Sequence, residues 1–201
     1  MLTVVGVGPA GVHLITPAAR DAIAQAECLV GGARHLRQFP DFRGEIFALG
    51  ANVAALLAWL EARRLHRVVI MASGDPLFYG IGTRIVAHFG IEHVRIIPGI
   101  SAVQYLCAQA GIDMNEMWLT SSHGRRVDFD QLARHDRVAM VTDARCGPKE
   151  IAAQLVARGK GHRWMVIGEN LAMERERIHW LPVSEVRADY EMNAVVILDE
   201  R

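Results

Sequence analysis

The sequence holds only three cysteines, Cys28, Cys107 and Cys146, and they lie far apart. An odd, scattered set of thiols makes neither a disulfide framework nor a metal-ligand spacing, and it suits a reducing cytoplasm. No apolar run approaches the ~18 residues that a membrane span needs. The N-terminus enters an apolar β-type run at once and lacks the basic, apolar and small-residue order of a secretory signal. Net charge is missing too, since 22 Lys and Arg balance 22 Asp and Glu. Nothing global therefore argues for nucleic acid. The chain shows no internal repeat, low-complexity segment or long linker. It also lacks a nucleophile elbow, a zinc spacing and a Walker loop. What remains is the expectation of a cytoplasmic protein of one or two small domains. The 201 residues are long enough to bury a core, and 51% hydrophobic with 22% charged residues is an ordinary globular composition.

The stretch around which the rest is organised is residues 67–82. It starts with the apolar, β-branched run 68–71, which reads as a buried strand. The strand stops at Ser73-Gly74-Asp75-Pro76. Gly74 can take backbone angles closed to other residues, and Pro76 fixes its own φ and ends sheet pairing. Leu77, Phe78, Ile81, Ile85, Val86 and Phe89 then recur at helical spacing. A glycine-bearing turn at the carboxyl end of a buried strand is where open α/β sheets place ligands, although a plain β-to-α turn would look the same.

Other elements follow the same alternation. Residues 2–7 form a strand, Thr16 and Pro17 open a helix, and residues 28–30 form the next strand. Residues 45–49 read as a short strand, and 52–64 as an amphipathic helix with Val53, Leu56, Leu57 and Leu60 inward. Residues 94–97 form a strand closed by Pro98-Gly99, and Ser101 can cap a helix running to Gly111. A polar joint at 111–115 marks a change of domain. Beyond it, strands are expected at 117–121, 138–142, 164–167, 178–181 and 194–198, with helices at 129–135 and 148–158. The last three strands follow one another with little helix between them, which predicts a mixed sheet. The fold class is thus α/β, with one small domain over 1–111 and a second over 112–201.

Gly6-Val7-Gly8-Pro9-Ala10-Gly11 has the spacing of a dinucleotide fingerprint. In that fold a helix opens within the glycine turn and meets the pyrophosphate. Here the helix-start signal comes later, at Thr16-Pro17, and a proline sits inside the turn. The next strand ends in Gly31-Gly32 and not in an acid placed for a ribose. A nicotinamide cofactor is therefore not expected.

Gly74-Asp75-Pro76-Leu77-Phe78-Tyr79-Gly80 resembles the central motif of the tetrapyrrole methylases, which bind S-adenosylmethionine. The Gly6–Gly11 turn and Pro98-Gly99-Ile100-Ser101-Ala102 fit the same family in the same order. Within it, Val30-Gly31-Gly32-Ala33-Arg34-His35-Leu36 and Ser122-His123-Gly124-Arg125 are similar to the branch that methylates C5 of a cobalt-precorrin in cobalamin biosynthesis. The resemblance implies a cofactor between two α/β domains. Pro9, Gly74, Asp75, Phe78, Ser101 and Ala102 would line it from the first domain, and Thr142 and Leu171 from the second. Ala172 stands where glycine is commoner in the family. The resemblance also implies a homodimer. Relatives that methylate both C5 and C15 carry a second, decarboxylating domain; this chain has no room for one, so that activity is expected on a separate protein. A family branch acting on a protein does not share the Arg34 and His123 motifs. Methylation at another tetrapyrrole carbon and a non-catalytic nucleotide-binding module are the alternatives.

Methyl transfer from a sulfonium needs no metal and no protein nucleophile, which agrees with the absences above. Cobalt-precorrins carry several carboxylates, and arginine offers each a planar fork. Arg34 and His35, with Arg37 and Arg43 nearby, read either as a solvated loop or as an anion-binding rim. His123, Arg125 and Arg126 follow a strand directly, and the two arginines strengthen a carboxylate-binding reading there. Histidine is the residue type suited to general-base work near neutral pH, which makes His123 a candidate base, and binding a substrate carboxylate is its other reading. Asp75 can accept hydrogen bonds from the cofactor or can simply hold its own turn.

Overall fold

The computed structural model describes residues 1–200. It contains two compact units, Met1–Ser101 and a second that begins at Ala102. The first runs β1 (Leu2–Gly6), α1 (Pro17–Ala24), β2 (Cys28–Gly31), α2 (Ala33–Leu36), β3 (Glu45–Ala48), α3 (Val53–Glu61), β4 (Val68–Ala72), α4 (Gly82–Phe89) and β5 (Val94–Ile97). Its five strands are all parallel, in the order β3-β2-β4-β1-β5. Every residue of β1, β2 and β4 is buried, as continuous apolar runs predict for a sheet covered on both faces.

The two faces can be read residue by residue. Val5, Leu29, Val69 and Met71 pack with Ala19 and Ile23 of α1. Val4, Val30, Val68 and Ile70 pack with Leu56 and Leu60 of α3 and with Ile85 and Phe89 of α4. Each such large side chain contributes roughly 1.5–3 kcal/mol through burial. The chain leaves β1 through α1 on one face and leaves β4 through α4 on the other. β1 and β4 are neighbours, so their connections part to opposite sides of the sheet. A crevice opens at the carboxyl ends of two such strands, and open α/β sheets place ligands there.

Local signals set the helix ends. Thr16 Oγ1 accepts the Ala19 N–H at 3.2 Å, with Pro17 in the first turn of α1. The helix thus opens well after the glycine turn, which removes the dinucleotide reading on its own criterion. Asn52 Oδ1 caps α3 through the Ala55 N–H at 3.0 Å. Helix α4 starts later than its apolar spacing predicts, at Gly82 and not at Leu77. Residues 77–81 form a turn because Asp75 takes the N–H groups of Leu77 and Phe78, and Tyr79 adopts a left-handed φ of 56°. Similarly, residues 33–36 form one helical turn within the stretch read as a loop or rim.

The second unit runs α5 (Ala102–Ala110), β6 (Trp118–Ser121), α6 (Phe129–Leu132), β7 (Arg137–Val141), α7 (Pro148–Val156), β8 (Trp164–Glu169), β9 (Arg177–Pro182) and β10 (Asn193–Leu198). The strand order is β6-β7-β10-β8-β9, and only β6 and β7 pair in parallel. This is the mixed sheet expected from its closely spaced last strands. Helix α5 packs on β7 and β10, so residues 102–110 belong with this sheet and the joint expected at 111 lies at the far end of α5. The opposite face carries Leu132 of α6 with Ile151 and Leu155 of α7 over Val138, Met140, Met165, Ile167, Val195 and Ile197.

One charged side chain is wholly buried here. Arg163 pairs with Asp199 and donates to the carbonyls of His135 and Ala133 at 2.9 and 3.1 Å. A buried cation without such partners is strongly destabilising, so this clamp fixes the end of β10 to the α6–β7 turn. Among the described residues no helix is long and apolar enough to cross a membrane.

Candidate functional site

In the first unit the site is built from three loops at the carboxyl ends of three adjacent strands, β4, β1 and β5. Gly8 and Gly74 exchange backbone hydrogen bonds, Gly74 N–H to Gly8 O at 2.9 Å and the reverse at 3.3 Å. The three loops approach so closely that side chains are excluded. A Cβ on Gly6 would stand 2.4 Å from the Gly99 nitrogen, and one on Gly99 would stand 2.4 Å from the Gly74 carbonyl oxygen. Gly74 also has a φ of 64°, which favours glycine.

Asp75 ties the assembly together. Its Oδ1 accepts from Leu77 N–H at 2.8 Å and Phe78 N–H at 3.2 Å, and its Oδ2 accepts from Gly99 N–H at 3.1 Å. The carboxylate therefore does hold its own turn, and it also fastens that turn to the loop after β5. A carboxylate has about four acceptor positions, so one on Oδ2 remains for a further donor. Pro9 is buried in the first loop, Ser101 is buried after Gly99, and half-buried Phe78 meets Tyr79 edge-on at 5.0 Å. Leu77 and Ile100 flank these loops with their apolar side chains open to solvent.

Arg34 joins this group from α2. Its guanidinium donates to Ser73 Oγ at 2.9 Å, immediately before Gly74. It also lies 3.3 Å from His35 Nε2, and since arginine only donates, that nitrogen is the acceptor and Nδ1 carries the ring proton. His35 is only 5% exposed, so it lies beneath the rim and not on it. Burial, helped by the Arg34 charge, pushes its pKa down to about 4, and the ring is neutral near pH 7.

The second unit has its own constellation. Ala102 opens α5, and Leu171 is buried after β8, where its side chain fills the space beside Gly168. Thr142 donates to the carbonyl and side-chain oxygens of Asn193 at 2.8 and 2.6 Å. Asn170 N–H donates to the Met192 carbonyl at 2.8 Å, so the Thr142 and Leu171 loops are both anchored on the start of β10. Asn170 and Ala172 have left-handed φ values of 51° and 62°. His123 and Arg125 are exposed on the loop after β6. Gly124 N–H donates to Asp143 Oδ2 at 2.9 Å, which sets this loop beside Thr142. That bond is the main reason the Asp143 carboxyl is held below the usual range.

Three anchoring residues escaped the sequence reading: Ser73, Asp143 and Asn193. Ser73 precedes the glycine of the central motif and Asp143 follows Thr142, so adjacency was an available signal for two of them. Asn193 bonds Thr142 across 51 residues and left no local trace.

A model of the tetrapyrrole (corrin/porphyrin) methylases matches residues 1–187. The chain belongs to the tetrapyrrole methylase family. It is 78% identical over its full length to the cobalt-precorrin-7 C(5)-methyltransferase of Salmonella typhimurium, all of which is covered. It is 31% identical over 180 residues to a decarboxylating precorrin-6Y C(5,15)-methyltransferase of a Sinorhizobium species; these are 88% of this chain and 44% of that longer protein. Among solved tetrapyrrole methylase structures, the precorrin-6Y methylase of Archaeoglobus fulgidus superposes with a TM-score of 0.76 at 24% identity, covering 98% of this chain and 97% of that one. The uroporphyrin-III C-methyltransferase of Thermus thermophilus, solved with S-adenosylhomocysteine, gives 0.79 at 20% identity, covering 98% and 97%. At these identities the two structures establish the tetrapyrrole methylase fold, with its two sheets.

Proposed function

We propose that the protein is an S-adenosylmethionine-dependent methyltransferase acting at C5 of cobalt-precorrin-7 in cobalamin biosynthesis. The observation that carries this is the 78% identity to the Salmonella enzyme over the whole of both chains. The residues fit the cofactor. The first unit offers closely packed backbone at three loop ends, a spare acceptor position on Asp75 and open apolar side chains at Leu77 and Ile100. Pro9, Gly74, Asp75, Phe78 and Ser101 would hold it there; in the second unit, Ala102, Thr142 and Leu171 are the residues that the family resemblance assigns to the cofactor.

When bound, S-adenosylmethionine supplies a methyl group on a sulfonium, and attack by carbon releases S-adenosylhomocysteine. The protein's share is position, orientation and exclusion of water. Arg34 and Arg125 bind substrate carboxylates. The neutral His35 ring supports Arg34 from beneath. His123, exposed on its loop, takes the proton released from the macrocycle. The protein works as a homodimer in the cytoplasm, and the decarboxylating C15 methylation falls to a separate protein.

Release of S-adenosylhomocysteine is the test. It should require cobalt-precorrin-7, and His123→Ala should lose kcat and regain part of it with added imidazole. Release that is independent of tetrapyrrole would sink the assignment. A His123→Ala variant that loses only KM would make His123 a carboxylate ligand and not a base.

A further inference from the structure

The second unit contains a cavity of about 730 Å³ between the loop after β6 and the start of α7. Such a volume is in the range of small-ligand sites. Four arginines and three acids line it. The acids are already engaged. Asp128 Oδ1 caps α6 through Gln131 N–H at 2.9 Å, Asp130 accepts from Arg158 Nε at 2.7 Å, and Glu150 accepts from Gln154 Nε2 at 3.0 Å. Arg158 is also engaged, by Asp130 and Gln154. By contrast, the guanidiniums of Arg126 and Arg145 have no hydrogen-bond or ion-pair partner among the described residues. Two arginines without a partner thus face a cavity whose four arginines outnumber its three acids by one charge.

The walls that carry them are held in place. Ser122 Oγ donates to the Cys146 carbonyl at 2.7 Å, and Asp143 gathers the N–H groups of Gly124, Arg145 and Cys146 at 2.9, 2.9 and 3.1 Å. Between them lies Phe129, half-buried, with the Arg158 guanidinium 5.6 Å from its ring. Helix α7 begins at the same wall, and its cap residue, Gly147, has no side chain to bond the first amides.

We propose that this cavity seats peripheral carboxylate arms of the substrate, with Arg126 and Arg145 as their ligands. The inference rests on the reading of the protein as a cobalt-precorrin methyltransferase and extends its carboxylate contacts beyond Arg34 and Arg125. Because both arginines act on the substrate's rim and not on the reacting carbon, they set substrate affinity and leave the chemical step alone.

The experiment compares steady-state kinetics of the full-length enzyme with S-adenosylmethionine and cobalt-precorrin-7. The variants are R126A/R145A, R126Q/R145Q and a control pair, R134A/R187A, which removes the same charge from exposed positions elsewhere on the unit. The cavity pairs should raise the apparent substrate KM at least about tenfold, the loss expected for a charge-assisted hydrogen bond. Their kcat and S-adenosylmethionine Kd should stay within twofold of wild type, as should every constant of the control pair. The salt dependence of substrate KM should also flatten in the cavity pairs. An unchanged KM, a loss confined to kcat, or an equal loss in the control pair overturns the inference and leaves the enzyme's assignment intact. A wild-type protein that transfers no methyl group to cobalt-precorrin-7 overturns both.

Discussion

Asp75 at the end of β4 and Gly99 after β5 are joined directly, the Gly99 amide donating to Asp75 Oδ2 at 3.1 Å. β1 lies between those two strands in the sheet, so one side chain closes a ring of backbone across three strand ends. This changes what a mutation at Asp75 means. The carboxylate accepts three amide hydrogen bonds, and its removal leaves those N–H groups unpaired. Asp75→Ala should cost roughly 1–3 kcal/mol of stability and weaken S-adenosylmethionine binding by about ten- to a hundredfold. Thermal melting and titration calorimetry check the two parts. Lost affinity with unchanged melting would mean that Asp75 touches the cofactor without organising the loops.

The Arg34–Ser73 bond makes a second prediction. If Arg34 grips a substrate carboxylate as proposed, Arg34→Ala should raise the apparent substrate KM with little change in S-adenosylmethionine affinity. Ser73 orients that guanidinium at 2.9 Å, so Ser73→Ala should reproduce part of the effect. A double-mutant cycle should show coupling of about 1 kcal/mol in substrate binding. Additive losses would separate the two residues.

His35 predicts an acid-sensitive stability. Its folded pKa is lowered from 6.5 to about 4, so the unfolded chain binds the proton more readily between those values. Its neutral burial is therefore harmless above about pH 6.5, and stability falls as the pH drops from there towards 4. The loss should reach at most roughly 3 kcal/mol. Chemical denaturation of wild type and His35→Gln across this window should show a flatter curve in the variant. Parallel curves would mean that His35 is not the titrating group.

How much of this was legible in sequence depended on how local each cause was. The buried parallel strands, the Thr16 cap and the mixed second sheet were written in short-range patterns. Helix α4 was placed too early because the apolar spacing of Leu77 and Phe78 is helical, while the side chain of Asp75 takes their amides for a turn. The sequence of helix α5 follows the β-α series of the first unit, while its packing partners, β7 and β10, come later in the chain, so only the fold shows which sheet it covers. The site motifs were recognisable as strings. The bonds that join them, Asp75 to Gly99, Arg34 to Ser73 and Thr142 to Asn193, span 24 to 51 residues and required the fold.

Ala172 holds a left-handed backbone, with a φ of 62°. A left-handed alanine costs roughly 1–2 kcal/mol, and glycine returns about 0.5–1 of that as chain entropy. Ala172→Gly should therefore stabilise the protein by roughly 0.5–1 kcal/mol, or about 2–4 °C at the upper end. A lower melting temperature would contradict the strain at this position.

The most direct test of the assignment is product analysis with a carbon-13 methyl donor. Wild-type protein, labelled S-adenosylmethionine and cobalt-precorrin-7 should give one new methyl resonance coupled to C5, with one S-adenosylhomocysteine released per product. Label at any other ring carbon, or methyl-donor turnover with no label on the macrocycle, would contradict it.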